Sequence, residues 1–229
     1  SALAGAGADI MICSRSEEEL RTALEEICAD KEVRGEYLVV DMSKRDQVES
    51  LAATALEKMG RVDILINNAG ANIPEPIDAI ANESWDTILE LNLNSCMVLT
   101  RALVPQMKAR RWGRIIHISS VMGLASAAGR SVYSTSKSAL LGLTRASALD
   151  LGPDNITVNS IAPGPFLTDL PRNLLSQEQK DHLAGNTALK RWAEPEELGG
   201  AALLLASEAG SYISGSVLVV DGGMLARVW

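Results

Sequence analysis

Gly113-Arg-Ile-Ile-His-Ile118 runs straight into Ser119-Ser-Val-Met-Gly-Leu-Ala-Ser-Ala-Ala-Gly-Arg-Ser-Val-Tyr-Ser-Thr-Ser-Lys137. The first six residues make an apolar run of strand length. The end of the stretch enters a helical pattern that continues to Leu151, where Gly152-Pro153 stops it. A strand, a polar loop and a helix in that order form one unit of a parallel sheet. Tyr133 and Lys137 are four apart, so on a helix they leave the same face. Ser120 lies thirteen residues before Tyr133, at the end of the strand-like run. A free tyrosine has a pKa of about 10 and is a poor acid or base at neutral pH. An adjacent ammonium favours the phenolate and draws that value down. Alone, the pair also reads as a packed tyrosine beside a solvated lysine.

The same unit repeats on both sides. Upstream, Asp9–Cys13, Tyr37–Val40 and Val62–Ile66 are short Val/Ile/Leu-rich runs. Helical patterns separate them, led by Ser16 and by Ser43/Asp46, and Gly60 stops the second of these helices. A long helix covers roughly 83–110. Downstream, Ile156–Ile161 and Val217–Val220 are strands, with a helix from Pro195 to Ala206 between them and an irregular segment over 166–193. Strands apolar on both faces, alternating with helices, predict an α/β fold: a Rossmann-like, doubly wound parallel sheet in a single domain spanning 1–229. Such sheets bind ligands beyond the carboxyl ends of their strands. The polar clusters fall there: Ser14-Arg15, Asp41, Asn67-Asn68-Ala69-Gly70, Ser119-Ser120 and Pro163–Thr168. Gly5-Ala6-Gly7 is not a phosphate loop, because it closes a helix and precedes a strand.

Composition bounds the partners. The 229 residues are 47% hydrophobic and carry a formal charge of −8 with a pI near 4.9. That argues against a nucleic-acid surface and against attraction to an anionic membrane. Apolar runs such as Gly199–Ala206 are too short to span a bilayer, and no basic start leads into an apolar leader. Cys13, Cys28 and Cys96 are scattered without metal-ligand spacing, which suits reduced thiols in a cytoplasm and predicts no metal site.

Taken in order, Asn67-Asn68-Ala69-Gly70, Leu91-Asn92-Leu93, Ser120, Tyr133-x-x-x-Lys137 and Pro163-Gly164 resemble the short-chain dehydrogenase/reductase family over essentially the whole chain. Arg191-Trp192-x-x-Pro195-Glu and Val219-Val-Asp-Gly-Gly223 resemble the branch containing 3-oxoacyl-carrier-protein reductases and gluconate 5-dehydrogenases. The resemblance implies a catalytic group of Asn92, Ser120, Tyr133 and Lys137, with Ser119 as the alternative serine. Tyr133 would be the general acid or base, Lys137 would lower its pKa and hold the nicotinamide ribose, and Ser120 would bind the substrate oxygen. Asn92 has an argument of its own. Asparagine is poor inside a helix, so its position between Leu91 and Leu93 implies a local distortion or a polar task.

For the cofactor, the resemblance implies contacts from Asn68, Ala69 and Gly70 along the adenine-ribose side and from Asp41 near the adenine. Pro163, Gly164 and Thr168 would meet the nicotinamide carboxamide, beside Tyr133 and Lys137. Asp41 also suits a helix N-terminus. Ser14 and Arg15 stand where an acidic residue would bind the ribose 2′-hydroxyl. A guanidinium there suits a 2′-phosphate, so NADP(H) is favoured over NAD(H), unless Arg15 pairs with the Glu17–Glu19 cluster. The segment 166–193 would form a substrate lid carrying Arg172, Asn173, Lys190, Arg191 and Trp192. Arg130, just before the tyrosine, could meet an anionic substrate; the alternative is that most of these residues are ordinary surface charges.

One departure from the family pattern stands out. Its first strand and Thr-Gly-x-x-x-Gly-x-Gly loop are not among these residues, so the domain reads as N-terminally incomplete. The expected activity is hydride transfer between NADP(H) and a small-molecule carbonyl or secondary alcohol, in a homotetramer or homodimer built on the two long helices. A cofactor-free scaffold descended from such an enzyme is the alternative. A hydrolase using Ser120 is weaker, since His117 shares its strand and His182 lies in the lid.

Overall fold

The structure is a computed structural model that describes residues 1–168 and 175–226. Its strands and helices alternate as the apolar runs predict. A short helix α1 (Ala2–Gly5) leads through Gly7, at φ +86°, into β1 (Ile10–Ser14). α2 (Glu17–Cys28), β2 (Gly35–Val39), α3 (Arg45–Met59) and β3 (Ile64–Asn67) follow. Gly60 ends α3 with φ +76°, a left-handed stop that glycine adopts without a Cβ clash.

The long helix expected over 83–110 is divided. α4 (Asn82–Leu89) passes through a π-helical turn, Glu90–Asn94, into α5 (Ser95–Arg110). β4 (Gly113–Ile118), α6 (Ser131–Leu151) and β5 (Ile156–Pro163) come next. α7 (Gln177–Gly185), α8 (Gly199–Ala206) and β6 (Val217–Val220) complete the described elements.

All strand pairs are parallel. They form two sheets, one ordered β1-β2 and the other β3-β4-β5-β6. The single sheet expected from the alternation is therefore in two parts. Strands join a sheet only through direct backbone ladders, and β1 and β3 make none to each other.

Neighbouring residues of β4 serve opposite faces. Ile115 packs with Val48, Leu51, Val98, Leu103, Met107 and Val158, under α3, α5 and the end of α6. Ile116 packs with Ile161, Leu205 and Ala206 under α8, with Leu3 of α1 against them. Burying each such side chain contributes roughly 1.5–3 kcal/mol. Helices on both faces leave the carboxyl ends of the strands as the open edge of the fold.

Candidate active site

The end of β4 and the first turns of α6 are tied at two points. The Lys137 Nζ donates to the Ile118 carbonyl at 2.7 Å, and the Ser119 hydroxyl donates to the Lys137 carbonyl at 2.8 Å. The fit needs Gly123, where a Cβ would fall 2.7 Å from Ser119 Oγ and 2.9 Å from the Lys137 carbonyl oxygen. Ser119 is thereby used as a strut. Ser120 accepts the Met122 N–H at 3.1 Å, and its hydroxyl also acts on the Tyr133 phenol. Between the two serines, geometry turns Ser120 toward the tyrosine.

Tyr133 and Lys137 share one face of α6 as their spacing predicts, with Nζ 5.8 Å from the ring centroid. Their electrostatics differ from expectation. The phenol stands above its ordinary pKa, not below it, because burial outweighs the Ser120 hydrogen bond and the charge of Arg130. Lys137 is not among the groups that lower it, and its ammonium donates to the Ile118 carbonyl. Burial brings Lys137 itself down from 10.5 to about 8, with the Cys96 thiol opposing.

Asn92 lies inside the π-helical turn and is fully buried. Its Oδ1 accepts the Ala71 N–H at 2.9 Å, and its Nδ2 donates to the Ala71 carbonyl at 2.9 Å and the Ser136 hydroxyl at 3.0 Å. The distortion and the polar task expected of Asn92 therefore occur together. π-helical turns of this kind gather at functional sites. The Asn67–Gly70 loop completes the group: a Cβ on Gly70 would lie 3.2 Å from both Asn92 Oδ1 and Lys137 Nζ.

The loop itself is split in role. Asn67 is buried, and its Nδ2 donates to Thr100 Oγ1 and to His117 Nδ1, at 3.3 and 3.1 Å. Asn68 and Gly70 are exposed and Ala69 half-buried, so these three face outward. His117 accepts through Nδ1, which leaves the proton on Nε2 without a partner. Burial, with the charge of Lys137, pushes its pKa down to about 4. With Nδ1 committed to Asn67, it makes no hydrogen bond to Ser120, so no Ser–His pair forms there.

The remaining predicted residues lie at other strand ends, without a hydrogen bond or ion pair to this group. Ser14 Oγ accepts the Ser16 N–H at 3.2 Å. Arg15 is exposed and pairs with none of the Glu17–Glu19 carboxylates; its charge helps lower the pKa of Asp41. Hydrogen bonds from the Ser43 hydroxyl and N–H, at 2.7 and 2.9 Å, lower Asp41 most. After β5, the Gly164 N–H donates to the Val220 carbonyl at 2.9 Å, and a Cβ on Gly164 would fall 2.7 Å from Asp221 Cα. Pro163 ends the strand, and Thr168 is exposed beyond the Phe166–Ala193 bridge.

In the expected lid, Arg191 holds both oxygens of Glu197, Lys190 donates to the Gly185 carbonyl, and Trp192 Nε1 donates to the Lys180 carbonyl. Arg172 and Asn173 lie outside the described residues. Among the described residues, no cluster of His, Cys, Asp or Glu could hold a metal. No helix there is long and apolar enough to cross a membrane.

Sequence reasoning passed over three supports: Ser136, the Ala71 backbone and the Asn67–His117 pair. Ser136 sits next to Lys137 in the chain, but only packing shows that its hydroxyl serves Asn92. A histidine alternating with isoleucines in β4 was the one available sign of a polar contact inside the sheet.

The chain matches the family model described as enoyl-(acyl carrier protein) reductase over residues 1–225. It is 37% identical over 226 residues to the cyclopentanol dehydrogenase of Comamonas testosteroni, covering 98% of this chain and 90% of that one. It is 34% identical over 218 residues to the 3-oxoacyl-(acyl-carrier-protein) reductase of Chlamydia muridarum, covering 95% and 88%. Its fold is similar to that of a gluconate 5-dehydrogenase from Burkholderia cenocepacia J2315, crystallised in complex with NADP and tartrate. The TM-score is 0.91, at 33% identity, over 99% of this chain and 89% of that one. The chain belongs to the short-chain dehydrogenase/reductase family, oxidoreductases that act on CH–OH and C=O groups with a nicotinamide cofactor.

Proposed function

We propose that this protein transfers hydride between NADP(H) and a small carbonyl or secondary alcohol, with Tyr133 as the general acid in reduction and the general base in oxidation. The observation that carries this reading is the convergence of Asn92, Lys137 and the bare Cα of Gly70, with Ser120 acting on the Tyr133 phenol.

The residues present fit a dinucleotide. Gly70 leaves open a backbone approach beside Asn92 and Lys137 that a Cβ would crowd. Arg15, exposed and unpaired among the described residues, offers a guanidinium at the end of β1 suited to a 2′-phosphate. Arg15 and Ser14, Asp41, Asn68–Gly70, Tyr133, Lys137, Pro163, Gly164 and Thr168 would hold the cofactor, and the 166–193 segment would cover the substrate. The nicotinamide, when bound, supplies or accepts the hydride at the carbonyl carbon.

This chain's own residues manage the proton. Ser120 holds the substrate oxygen, and the phenol gives its proton to that oxygen. Because Tyr133 sits above its ordinary pKa, it keeps that proton at neutral pH until charge develops on the oxygen. The Lys137 ammonium, 5.8 Å from the centre of the Tyr133 ring, would hold the nicotinamide ribose. Asn92, locked to Ala71 and Ser136, keeps the Gly70 loop and α6 in register.

Two further features belong to the same reading. A groove of about 470 Å³ between α5 and α6, lined by Met97, Val104, Leu143 and Leu151, suits packing of these helices against a second copy, as a homotetramer or homodimer requires. Unpaired, partly exposed thiols at Cys13 and Cys28 suit a reducing cytoplasm. The test of the central reading is oxidation and reduction of a carbonyl/alcohol panel, followed by NADPH absorbance. Turnover that Tyr133→Phe abolishes supports it; a Tyr133→Phe variant as active as the parent overturns it.

A further inference from the structure

We propose that Arg130 is a specificity-determining residue that binds a carboxylate on the substrate, so that the protein acts on hydroxy acids and oxo acids in preference to neutral alcohols and ketones. This rests on the oxidoreductase reading above and names its substrate class.

Arg130 is the residue before α6, and Tyr133 lies three positions on, one helical turn away on the same side. Its backbone is fixed from two directions. Its carbonyl accepts the Ser134 N–H at 2.8 Å, and a parallel bridge joins it to Glu75, whose N–H donates to the Gly129 carbonyl at 3.2 Å. The side chain therefore starts from a defined point beside the phenol. Its charge reaches that phenol and lowers its pKa against burial.

Arg130 is half-buried as a residue, yet no hydrogen bond or ion pair engages its guanidinium among the described residues. Glu75 is bridged to it through the backbone and is the obvious internal partner, but the Glu75 carboxylate accepts the Ala81 N–H at the start of α4 instead. Three other described cations of this end already have internal partners. Lys137 is held by the Ile118 carbonyl, Lys190 by the Gly185 carbonyl, and Arg191 by both oxygens of Glu197. Arg130 thus has five donors and a full charge with no internal acceptor.

A carboxylate satisfies that fork with two parallel hydrogen bonds, and a neutral hydroxyl or ester cannot. With the carboxylate on Arg130, the carbonyl of an oxo acid is led toward Ser120 and Tyr133. The reaction balances as reduction of that carbonyl. Its carbon gains the hydride of NADPH and its oxygen gains the Tyr133 proton, leaving the hydroxy acid anion, NADP⁺ and a Tyr133 phenolate that a proton from solvent restores.

The experiment measures kcat/KM at 340 nm for a panel of hydroxy and oxo carboxylates. Each is paired with its own methyl ester, using the parent, Arg130→Gln and Arg130→Lys. We expect the parent to favour acid over ester by at least about tenfold, and Arg130→Gln to bring that ratio close to one, mainly through KM. Arg130→Lys should recover part of the preference, which separates lost charge from lost folding. A parent that turns over esters as well as acids, or an Arg130→Gln variant with an unchanged acid-to-ester ratio, overturns the inference and leaves the oxidoreductase reading standing. Absence of hydride transfer to every acid and every ester overturns that reading itself, and this inference with it.

Discussion

The two ends of the fold where ligands should sit are built in opposite ways. Beyond β3 and β4, the centre of the group is buried: Asn92 and Lys137 are at most 4% exposed, and every polar atom of Asn92's side chain has a named partner. Beyond β1 and β2, Arg15 is exposed and unpaired among the described residues, and Asp41 is only half-buried. The difference suits the two tasks proposed for these ends. Proton transfer needs groups held in one geometry at low dielectric, where each charge counts most. Telling one nucleotide from another needs a charge that can reach out and close on a phosphate, and exposure costs little there.

Four tests sharpen or break that contrast. Tyr133→Phe should have the largest effect, lowering turnover roughly 10²–10⁴-fold while cofactor binding changes little, as steady-state kinetics and fluorescence titration would read. Preserved turnover would mean the deep end is a structural core and nothing more.

The second tests burial itself. In the folded protein His117 titrates near 4, while in the unfolded chain it titrates near 6.5. Between those values the unfolded chain takes up a proton that the folded one refuses. Stability should therefore fall by about 3 kcal/mol as pH drops from about 6.5 to about 4. His117→Asn should flatten that limb of the denaturation profile; the same slope in the variant would assign the loss to other groups.

The third separates neighbours. Ser120→Ala should lower kcat about 10²-fold by removing a hydroxyl from the substrate oxygen. Ser119→Ala should cost about 1 kcal/mol of stability through its lost bond to the Lys137 carbonyl, with a small kinetic effect. A reversed pattern would exchange their roles.

The smallest effect belongs to the shallow end. Arg15→Asp should shift the ratio of kcat/KM for NADPH over NADH about tenfold toward NADH. An unmoved ratio would remove Arg15 from cofactor selection.

Most of the fold was legible because buried parallel strands demand continuous apolar runs and helices demand their own period. Ile115 and Ile116, adjacent in β4 and packed under different layers, show why the run had to be apolar on both faces. Asn92 was legible as an anomaly, since asparagine between leucines conflicts with a regular helix. The π-helical turn resolves that conflict.

The sequence by itself determined the order of elements, their parallel arrangement and the placing of Tyr133 and Lys137 on one helical face. These follow from periodicity and spacing, which are local. Only the tertiary structure decided that the sheet lies in two parts, that Ser119 braces while Ser120 faces the phenol, and that Lys137 is spent on the Ile118 carbonyl. It also decided that Arg130 is left without a partner among the described residues. Each of these depends on which groups from distant segments come within hydrogen-bond reach. Burial then sets their charge states, as it does in raising the phenol where spacing alone predicted a lowered one.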